Sequence, residues 1–481
     1  MKKVLFAASE CVPFVKTGGL ADVVGSLPKY FDGQRYDVRV ILPKYFCMKQ
    51  QWKELLEYVD NFYVELNGGS YYVGISQVEY QGIKFYFVDN EHFFAGLSPY
   101  EGDAGWNVEK FAFFSKAVLS ALKIIDFRPE IIHCHDWQTG LIPVYLDHFR
   151  FIDEYYQGIK TIMTIHNLKF QGLWDVNAVQ RITGLPRYYF TPDKMEFYNN
   201  ANLLKGGLVF ADKLTTVSQT YAKEIKTQFY GETLDGLLSA RAGDLLGIVN
   251  GIDYQIYNPG SDPYIAKQFS KENFRQHKTK NKVALQKELG LPENNKTMMI
   301  GVVSRLTDQK GFDLISYVME QLCQDDIQLV VLGTGDEEYE HMFRYFAAKY
   351  PDKVSANIYY SDELAQKIYA SADAFLMPSL FEPCGLSQLM SLRYGAVPIV
   401  RETGGLVDTV EAYNEYEQTG TGFRFTNYNA HEMLYIIRYA QTIYYKHKIS
   451  WNRIVERGMA ADFSWDSSTK QYEDLYDSLW Q

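Results

Sequence analysis

The sequence predicts an α/β protein with two doubly wound domains, each built on a largely parallel sheet. Three observations predict this fold class. Short apolar runs alternate with longer helical patterns along the chain, which is typical of parallel α/β proteins. The apolar runs are nearly continuous, as expected for strands that helices bury on both faces. The alternation starts again in the second half, and the 481 residues exceed the roughly 150 of a single domain.

The first half contains a series of apolar runs that we expect to form strands. In chain order they are KKVLFAAS, DVRVILP, YYVGISQVEY, IKFYFVD, IIHCHD, TIMTIHN and KLTTVS. Helical patterns separate several of these runs, for example at residues 108–123 and 201–210.

The second half repeats the scheme, with expected strands at MMIGVVSR, IQLVVLG, ANIYYS, ADAFLMPS and VPIVRE. Between the halves, residues 247–259 concentrate Gly, Asn, Asp and Pro, and a Lys-rich helix is expected at 271–289. We therefore expect domains at 1–246 and 247–461, followed by a capped helix within 462–481. Because ligands bind at the carboxyl ends of parallel strands, the active site is expected in a cleft between the domains.

The composition argues against several classes of protein. Lys and Arg total 48 against 59 Asp and Glu, and the net charge of −11 disfavours nucleic-acid binding. Five scattered cysteines fit reduced thiols in a cytoplasm, and no pair has zinc-ligand spacing. The first apolar run stops at Glu10, too early for a signal peptide, and no run approaches the length of a membrane span. We expect a soluble cytoplasmic protein that binds neither nucleic acid nor membrane.

Aromatic residues make up 16% of the chain. Aromatic faces stack on sugar rings and nucleobases, but most aromatic side chains simply fill cores. Core packing is the stronger explanation, and a carbohydrate partner stays an alternative.

Glycine-rich turns follow several expected strands and could hold phosphate groups. The segment Lys16-Thr17-Gly18-Gly19 follows the first strand and opens a helix, whose free N–H groups suit an anion. A tight turn with a solvated lysine is equally compatible, and the dinucleotide motif G-x-G-x-x-G is absent there. In the second half, Arg305 and Lys310 surround another strand–helix turn and could clamp a diphosphate. With further turns at 333–335 and 403–405, the pattern favours a nucleotide or sugar-phosphate ligand.

Polar residues at other strand ends extend the candidate site. Glu382 follows ADAFLMPS beside a helix expected from about Gly385, so it could bind sugar hydroxyls or merely cap that helix. His133 and His135 invite a metal hypothesis, but in a strand they point away from Cys134, and nothing completes a ligand set. We therefore expect no metal, and polar residues that line the cleft instead. The motifs G-x-S-x-G and G-x-x-x-x-G-K-[ST] are also absent, against a serine hydrolase or a P-loop protein.

Taken in order, these motifs closely resemble the bacterial glycogen synthases and plant starch synthases, which are retaining glucosyltransferases of the GT-B fold. The matching blocks are KTGGLADVVGSLP, HCHDWQTGL, TIHNLKFQG, ADKLTTVSQTYAKEI, GIVNGID, VSRLTDQKGFDL, FEPCGLSQLMSLRYGAVPIVRETGGLVDTV and DFSWDSSTKQYEDLY. The resemblance implies two Rossmann-like domains that face each other across a cleft, with a C-terminal helix that crosses back to the first domain. It also implies transfer of glucose from ADP-glucose to the non-reducing end of glycogen or another α-1,4-glucan, with no cofactor and no metal.

The resemblance further assigns roles to individual residues. It implies catalytic roles for Asp136, His166, Arg305, Lys310 and Glu382. It implies a donor site made of Lys16, Gly18, Gly19, Asn250, Arg305, Lys310, Tyr360, Glu382, Thr403, Gly404 and Gly405. On the acceptor side it implies Glu10, Asp22, Asp136, Trp137 and Asn167. In these roles Lys16 binds the donor, with the Gly18 and Gly19 amides near its distal phosphate, and the Thr403–Gly405 loop lines the phosphate side. Tyr360 stacks on the adenine, and the His166 carbonyl approaches the sugar.

One position departs from the wider retaining pattern. Many GT-B relatives carry a second glutamate eight residues after the first, where this chain has Met390. The glycogen and starch synthases commonly lack it too, so Glu382 is expected to carry the carboxylate role alone. Two other hypotheses are a catalytically silent glucan-binding scaffold and an NAD-dependent dehydrogenase. The retained cations argue against the first, and the missing dinucleotide motif argues against the second.

Overall fold

A computed structural model describes residues 1–480. The chain divides into two compact units, each formed from separate stretches of sequence. The first unit contains Met1–Val217, Ala222–Ile248 and the described residues from Trp465 onward. The second contains Ser218–Tyr221 and Val249–Ser464.

The first unit is organised around a nine-stranded sheet and a small three-stranded one. Its strands are β1 (Lys2–Ala7), β2 (Tyr36–Pro43), β3 (Glu57–Leu66), β4 (Gly69–Tyr80), β5 (Ile83–Asp89), β6 (Ile131–His135), β7 (Lys160–Ile165), β8 (Leu173–Asp175), β9 (Glu196–Phe197), β10 (Asn200–Asn202), β11 (Lys213–Thr216) and β12 (Leu245–Gly247). The large sheet has the order β12-β11-β7-β6-β1-β2-β5-β4-β3, and the small one β8-β10-β9. From β12 to β5 all neighbours run parallel, so the carboxyl ends of β1, β6 and β7 lie along one edge.

The last strands of this sheet differ from the expected parallel arrangement. β4 runs antiparallel to both β3 and β5, and β3 was absent from the sequence prediction. The tight connections Asn67-Gly68 and Gln81-Gly82 leave no room for a crossover helix, so consecutive strands must reverse direction. β3 escaped notice because Glu57, Asp60, Asn61 and Glu65 interrupt its apolar and aromatic residues, so it contains no continuous apolar run.

The helices of the first unit cover the faces of the large sheet. They are α1 (Gly19–Ser26), α2 (Gln50–Lys53), α3 (Glu91–Phe94), α4 (Ala104–Ile124), α5 (Leu141–Arg150), α6 (Val176–Thr183), α7 (Leu203–Phe210) and α9 (Asp235–Ala240), whereas α8 (Gln219–Glu224) begins in the second unit and ends in the first. The helix expected at 201–210 begins later because Asn202 caps it, accepting the Lys205 N–H at 2.8 Å, while residues before it pair in β10.

The second unit is a six-stranded parallel sheet covered by helices. Its elements are α10 (Phe274–Glu288), β13 (Met298–Val303), α11 (Phe312–Gln324), β14 (Ile327–Leu332), α12 (Glu337–Lys349), β15 (Val354–Asn357), α13 (Asp362–Ser371), β16 (Ala374–Met377), α14 (Ser387–Arg393), β17 (Val397–Arg401), α15 (Gly404–Thr409), β18 (Phe423–Phe425), α16 (Ala430–Lys446) and α17 (Lys448–Ala460). The strand order is β15-β14-β13-β16-β17-β18. Its apolar core contains the central strands and the inner faces of α11, α14 and α16.

The final helix, α18 (Trp465–Ser478), belongs to the first unit. Its side chains Trp465, Tyr472 and Tyr476 are buried in the same cluster as β1 and β2. The stretch just before it stays with the second unit, where the Phe463 carbonyl accepts the Ile252 N–H at 2.8 Å. The first unit also continues to Ile248, two residues past the expected boundary, because β12 pairs with β11.

No helix in the described part of the chain, residues 1–480, combines the length and apolar character needed to cross a membrane.

Candidate functional site

In the first unit, candidate residues cluster where β1, β6 and β7 end. Glu10 follows β1, Asp136 follows β6, and His166 follows β7. These three strands are neighbours in a parallel sheet, so the loops after them lie side by side. This edge is where doubly wound sheets bind ligands.

Glu10 holds the Lys16–Gly19 loop in place. Its buried carboxylate accepts hydrogen bonds from the Thr17 N–H, from Thr17 Oγ1 at 2.9 Å and from the Gly18 N–H at 3.3 Å. Burial raises the pKa of Glu10, and these donors oppose that rise. The Gly18 amide, which the sequence assigned to a phosphate of the donor, is thus engaged by a carboxylate of the protein itself.

Lys16 and Asp22 form an ion pair at the start of α1. The Lys16 ammonium lies 2.9 Å from Asp22 Oδ1, and both side chains are partly exposed. An exposed pair of this kind is weak and exchanges readily for another anion. Lys16 is therefore positioned at the start of α1 by a contact that contributes little to stability.

Asp136 fixes the main chain at His166. Asp136 Oδ1 accepts the N–H of His166 at 2.7 Å and the N–H of Asn167 at 3.4 Å. Burial raises the pKa of Asp136 to about 7, with these two donors acting in the opposite direction. Asp136 also has a φ of 58° and a ψ of −178°, a backbone conformation that is rare outside glycine.

The histidines of this edge are buried rather than lining an open surface, contrary to the sequence expectation. His133 and His135 are 0% and 1% exposed. His133 contacts Tyr476 and Thr164 at 2.8 and 2.6 Å, and His135 Nδ1 lies 3.0 Å from His166 Nε2. Burial lowers the pKa of His133 and of His166 to about 3, so both are neutral at pH 7. Among residues 1–480, no group of three or more His, Cys, Asp or Glu is arranged to hold a metal ion.

Trp137 and Asn167 complete the predicted acceptor group. Trp137 packs with its ring edge-on to Phe111, at 5.2 Å between centroids. It also packs so closely on the backbone of Gly172 that a β-carbon there would lie 2.2 Å from the ring. Asn167 Oδ1 accepts the Lys169 N–H at 3.1 Å.

In the second unit, Glu382 and Lys310 form a buried ion pair. The Lys310 ammonium lies 2.9 and 2.7 Å from the two carboxylate oxygens of Glu382, and Ser379 Oγ donates to Glu382 at 2.9 Å. Glu382 is 5% exposed. Glu382 is therefore not a helix cap: α14 begins at Ser387, after Gly385 in a left-handed conformation (φ 72°).

The Thr403–Gly405 turn packs directly against the backbone of Glu382. The Gly405 N–H donates to the Glu382 carbonyl at 3.0 Å, and Gly404 has a φ of 47°. A β-carbon at Gly404 would lie 1.9 Å from the Glu382 carbonyl oxygen, so only glycine fits. The structure therefore gives the Gly405 amide a role in fixing Glu382, where the sequence expected it to line the phosphate side.

The remaining donor-side candidates lie on loops of the second unit. Arg305 is exposed after β13. Tyr360, after β15, is 68% exposed and donates to Asp362 at 2.7 Å. Asn250 is buried, and its Oδ1 has no hydrogen-bond partner among the described residues. Such an orphaned acceptor suits a donor group of a ligand.

Met390 lies on α14, where its side chain is buried in the apolar core of the second unit. It therefore supplies no group to the candidate site, consistent with a single carboxylate at Glu382.

The structure adds three polar residues that the sequence analysis missed: Thr17, Tyr100 and Ser379. Tyr100 donates to Glu10 Oε1 at 2.8 Å and lies 2.8 Å from Ser9 Oγ. It sits in a loop between α3 and α4, where no strand end marks it. Ser379 ends the run ADAFLMPS three residues before Glu382, and that spacing could have identified it.

Each unit by itself offers groups that can bind an anion or a polyhydroxylated ligand. The second unit offers cations beside a fixed carboxylate, which can accept hydrogen bonds from hydroxyl groups. The first unit offers the carboxylate of Glu10, the Lys16–Gly19 loop, and the neutral side chains of His133 and His166. Fixed groups of this kind stabilise developing charge without reorganising.

Two family models match the chain. The model described as the starch synthase catalytic domain matches residues 3–240. The model described as glycosyl transferases group 1 matches residues 285–443.

Curated relatives match over the full length. A glycogen synthase of Lachnospira eligens is 64% identical, with 100% of each chain covered. A glycogen synthase of Clostridium acetobutylicum is 51% identical over 99% of this chain and 100% of the relative.

Among solved structures, the catalytic domain of starch synthase IV from Arabidopsis thaliana, bound to ADP and acarbose, superposes with a TM-score of 0.89 at 34% identity. That match covers 99% of each chain. A sucrose-phosphate synthase of Thermosynechococcus elongatus shares the fold, with a TM-score of 0.63 at 15% identity. The chain thus has the GT-B fold of two Rossmann-like units and belongs to the bacterial glycogen synthase family of glycosyltransferases.

Proposed function

We propose that the protein transfers glucose from ADP-glucose to the non-reducing end of an α-1,4-glucan, with retention of the anomeric configuration and release of ADP. The observation that carries this proposal is the buried Lys310–Glu382 pair, held by Ser379 and by the Thr403–Gly405 turn. The solved starch synthase, which is bound to ADP and acarbose, supports a nucleotide donor and a glucan acceptor.

The donor side of the proposed reaction uses cations and one carboxylate. Arg305 and Lys310 neutralise the diphosphate, and Glu382 accepts hydrogen bonds from hydroxyls of the donor glucose. Lys16 binds the distal phosphate after it leaves Asp22, and Tyr360 stacks on the adenine. The unpartnered Oδ1 of Asn250 accepts a hydrogen bond from the donor.

Electrostatics explains why the reaction needs these groups. As the bond between the anomeric carbon and the phosphate oxygen breaks, its electron pair stays with ADP and positive charge develops on the sugar. Cations that already point at the diphosphate stabilise this transition state, and losing one costs about 10²–10³ in rate.

The acceptor side completes the transfer. The acceptor hydroxyl attacks the anomeric carbon from the face that ADP leaves, and its proton passes to the departing phosphate oxygen. The sugar therefore keeps its configuration without a covalent enzyme intermediate. Asp136 holds the His166 carbonyl toward the sugar, and Glu10, Trp137 and Asn167 contribute to binding the glucan.

We also place this reaction in the cytoplasm. All five cysteines are free thiols, in keeping with a reducing compartment.

The test is ADP release from ADP-glucose in the presence of glycogen, beside a parallel reaction with UDP-glucose. We expect a strong preference for ADP-glucose and a product lengthened by α-1,4 links. Glu382→Gln should reduce the rate by at least about 10², because it removes the charge while preserving the shape. Glu320→Gln is the matched control, since that exposed carboxylate of the same unit bonds only to Lys349 and Tyr350.

Activity with UDP-glucose alone would overturn the adenine-side assignments but leave a glucosyltransferase. Binding of glycogen without turnover of either sugar nucleotide would instead favour the scaffold hypothesis.

A further inference from the structure

α4 carries a buried lysine that pairs with no carboxylate in the described residues. Lys110 is 2% exposed, and its ammonium donates to the carbonyls of Pro99 at 2.8 Å and Glu101 at 3.4 Å. Burial lowers the pKa of Lys110 to about 8. A buried ammonium costs free energy, so its contacts need an explanation.

Asn107, one turn earlier on α4, binds the same loop. Its Nδ2 donates to the carbonyls of Tyr100 at 3.2 Å, Gly102 at 3.3 Å and Asp103 at 2.9 Å. The two side chains thus anchor residues 99–103 by their backbone carbonyls.

The loop that they anchor presents Tyr100 to Glu10. The Tyr100 hydroxyl donates to Glu10, and Glu10 in turn accepts from the backbone of Thr17 and Gly18 beside Lys16. A continuous series of hydrogen bonds therefore runs from α4 through Tyr100 and Glu10 to the Lys16–Gly19 loop, entirely within the first unit.

We propose that Lys110 is a positioning residue for the donor: by anchoring the Tyr100 loop, it keeps Glu10 bound to the Lys16–Gly19 segment. This inference rests on the proposed function, in which Lys16 binds the distal phosphate of ADP-glucose. If Tyr100 moves away, the buried Glu10 loses a donor, and its charged form becomes less favourable. The Thr17 and Gly18 amides then lose the acceptor that orders them.

The chain offers a closely matched control. Lys116 lies on the same helix and also donates to a backbone carbonyl, that of Glu65 at 2.5 Å, away from the Tyr100 loop. Burial lowers its pKa as well. Lys116→Met therefore also removes an ammonium that donates to a backbone carbonyl from α4, but it leaves the contacts of the 99–103 loop intact.

Steady-state kinetics of the full chain tests the proposal. Lys110→Met and Tyr100→Phe should each raise KM for ADP-glucose by about tenfold, the loss of one charge-assisted hydrogen bond, and leave KM for glycogen within about twofold. The double variant should be no worse than either single one, because both act through the same contact. Lys110→Arg should stay near wild type, and so should Lys116→Met.

Hydrogen exchange of the substrate-free protein supplies a readout independent of turnover. We expect the Thr17 and Gly18 amides to exchange about tenfold faster in Lys110→Met and unchanged in Lys116→Met. If Lys110→Met does not fold, Lys110→Gln replaces it, since its shorter amide cannot reach the Pro99 carbonyl.

Equal rises in both KM values, fully additive effects of Lys110 and Tyr100, or unchanged exchange at Thr17 and Gly18 would overturn the proposal. A wild-type protein that is inactive with ADP-glucose would overturn the proposed function. The exchange measurement would still decide whether Lys110 orders the Lys16–Gly19 loop.

Discussion

Asp136 combines three features that are individually uncommon. It is a carboxylate in a buried environment, its backbone has a φ of 58° and a ψ of −178°, and burial raises its pKa to about 7. That backbone conformation is rare outside glycine, and strained conformations of this kind concentrate at functional sites. The position therefore keeps a carboxylate whose charge changes near neutral pH, beside the main chain of His166.

The raised pKa predicts a pH dependence. Below about pH 7 the folded protein holds Asp136 protonated, and above it the carboxylate is ionised and accepts from His166 and Asn167 and, in the proposed reaction, from the glucan. We expect kcat/KM for glycogen to rise about tenfold from pH 6 to pH 8. Asp136→Asn should flatten this rise and lower kcat by about 10². Rate profiles across pH, with protein stability checked at each pH, provide the measurement.

The Asp136→Asn variant is informative because its amide oxygen can still accept the His166 and Asn167 N–H groups. A variant profile that keeps the wild-type rise would assign the ionisation to another group.

At the level of single residues, strand ends were the strongest signal in the sequence. They located Glu382, Lys310 and Asp136 because parallel strands deliver their carboxyl ends to one edge. They could not locate Tyr100, whose contact with Glu10 spans 90 residues of chain. Nor could they show that Glu10 already accepts the Gly18 N–H, or that Glu382 already pairs with the Lys310 ammonium, two groups that were expected to bind the donor.

Among the elements, α18 ties distant parts of the sequence into one core. The Tyr476 ring stacks on Phe31 at 5.3 Å, and its hydroxyl bonds His133 at 2.8 Å. At the surface, Asp477 pairs with Lys2 and Arg35. The buried contacts stabilise the first unit far more than the exposed ion pairs do.

Tyr476→Phe should therefore lower the free energy of unfolding by about 1–3 kcal/mol, because it leaves the buried His133 Nδ1 without its partner. Asp477→Asn removes the exposed charge on the next residue and should cost less than about 1 kcal/mol. Urea denaturation followed by circular dichroism compares the two, and equal losses would contradict the ranking.

Sequence patterns predicted the central strands of both sheets because helices bury those strands on both faces, which makes them continuously apolar. The strands they missed are exposed or short: β3 is largely exposed, and β8, β9, β10, β12 and β18 contain two or three residues each. The helix expected at 201–210 was placed too early because its cap at Asn202 was not recognised.

For the molecule as a whole, the net charge determines which charged partners it attracts and which it repels. The chain carries a charge of −11, while its proposed acceptor is neutral and its donor anionic. An anion must therefore be captured by local cations such as Lys16 and Lys310 against the overall field.

The same field predicts that nucleic acid is not a partner. We expect no binding of a duplex of about 30 base pairs at about 50 mM NaCl, conditions that favour even non-specific binding. A gel-shift titration tests this, with a basic DNA-binding protein as the positive control. A salt-sensitive shift at micromolar protein would contradict it.

The backbone passes between the two units four times, after Val217, Tyr221, Ile248 and Ser464. During synthesis the ribosome therefore delivers most of the first unit before the second, but supplies α18 only after the second. Until α18 emerges, the surface that Trp465, Tyr472 and Tyr476 cover is open to water. The first unit thus exposes part of its apolar core while the second is being made, which favours aggregation of the incomplete chain.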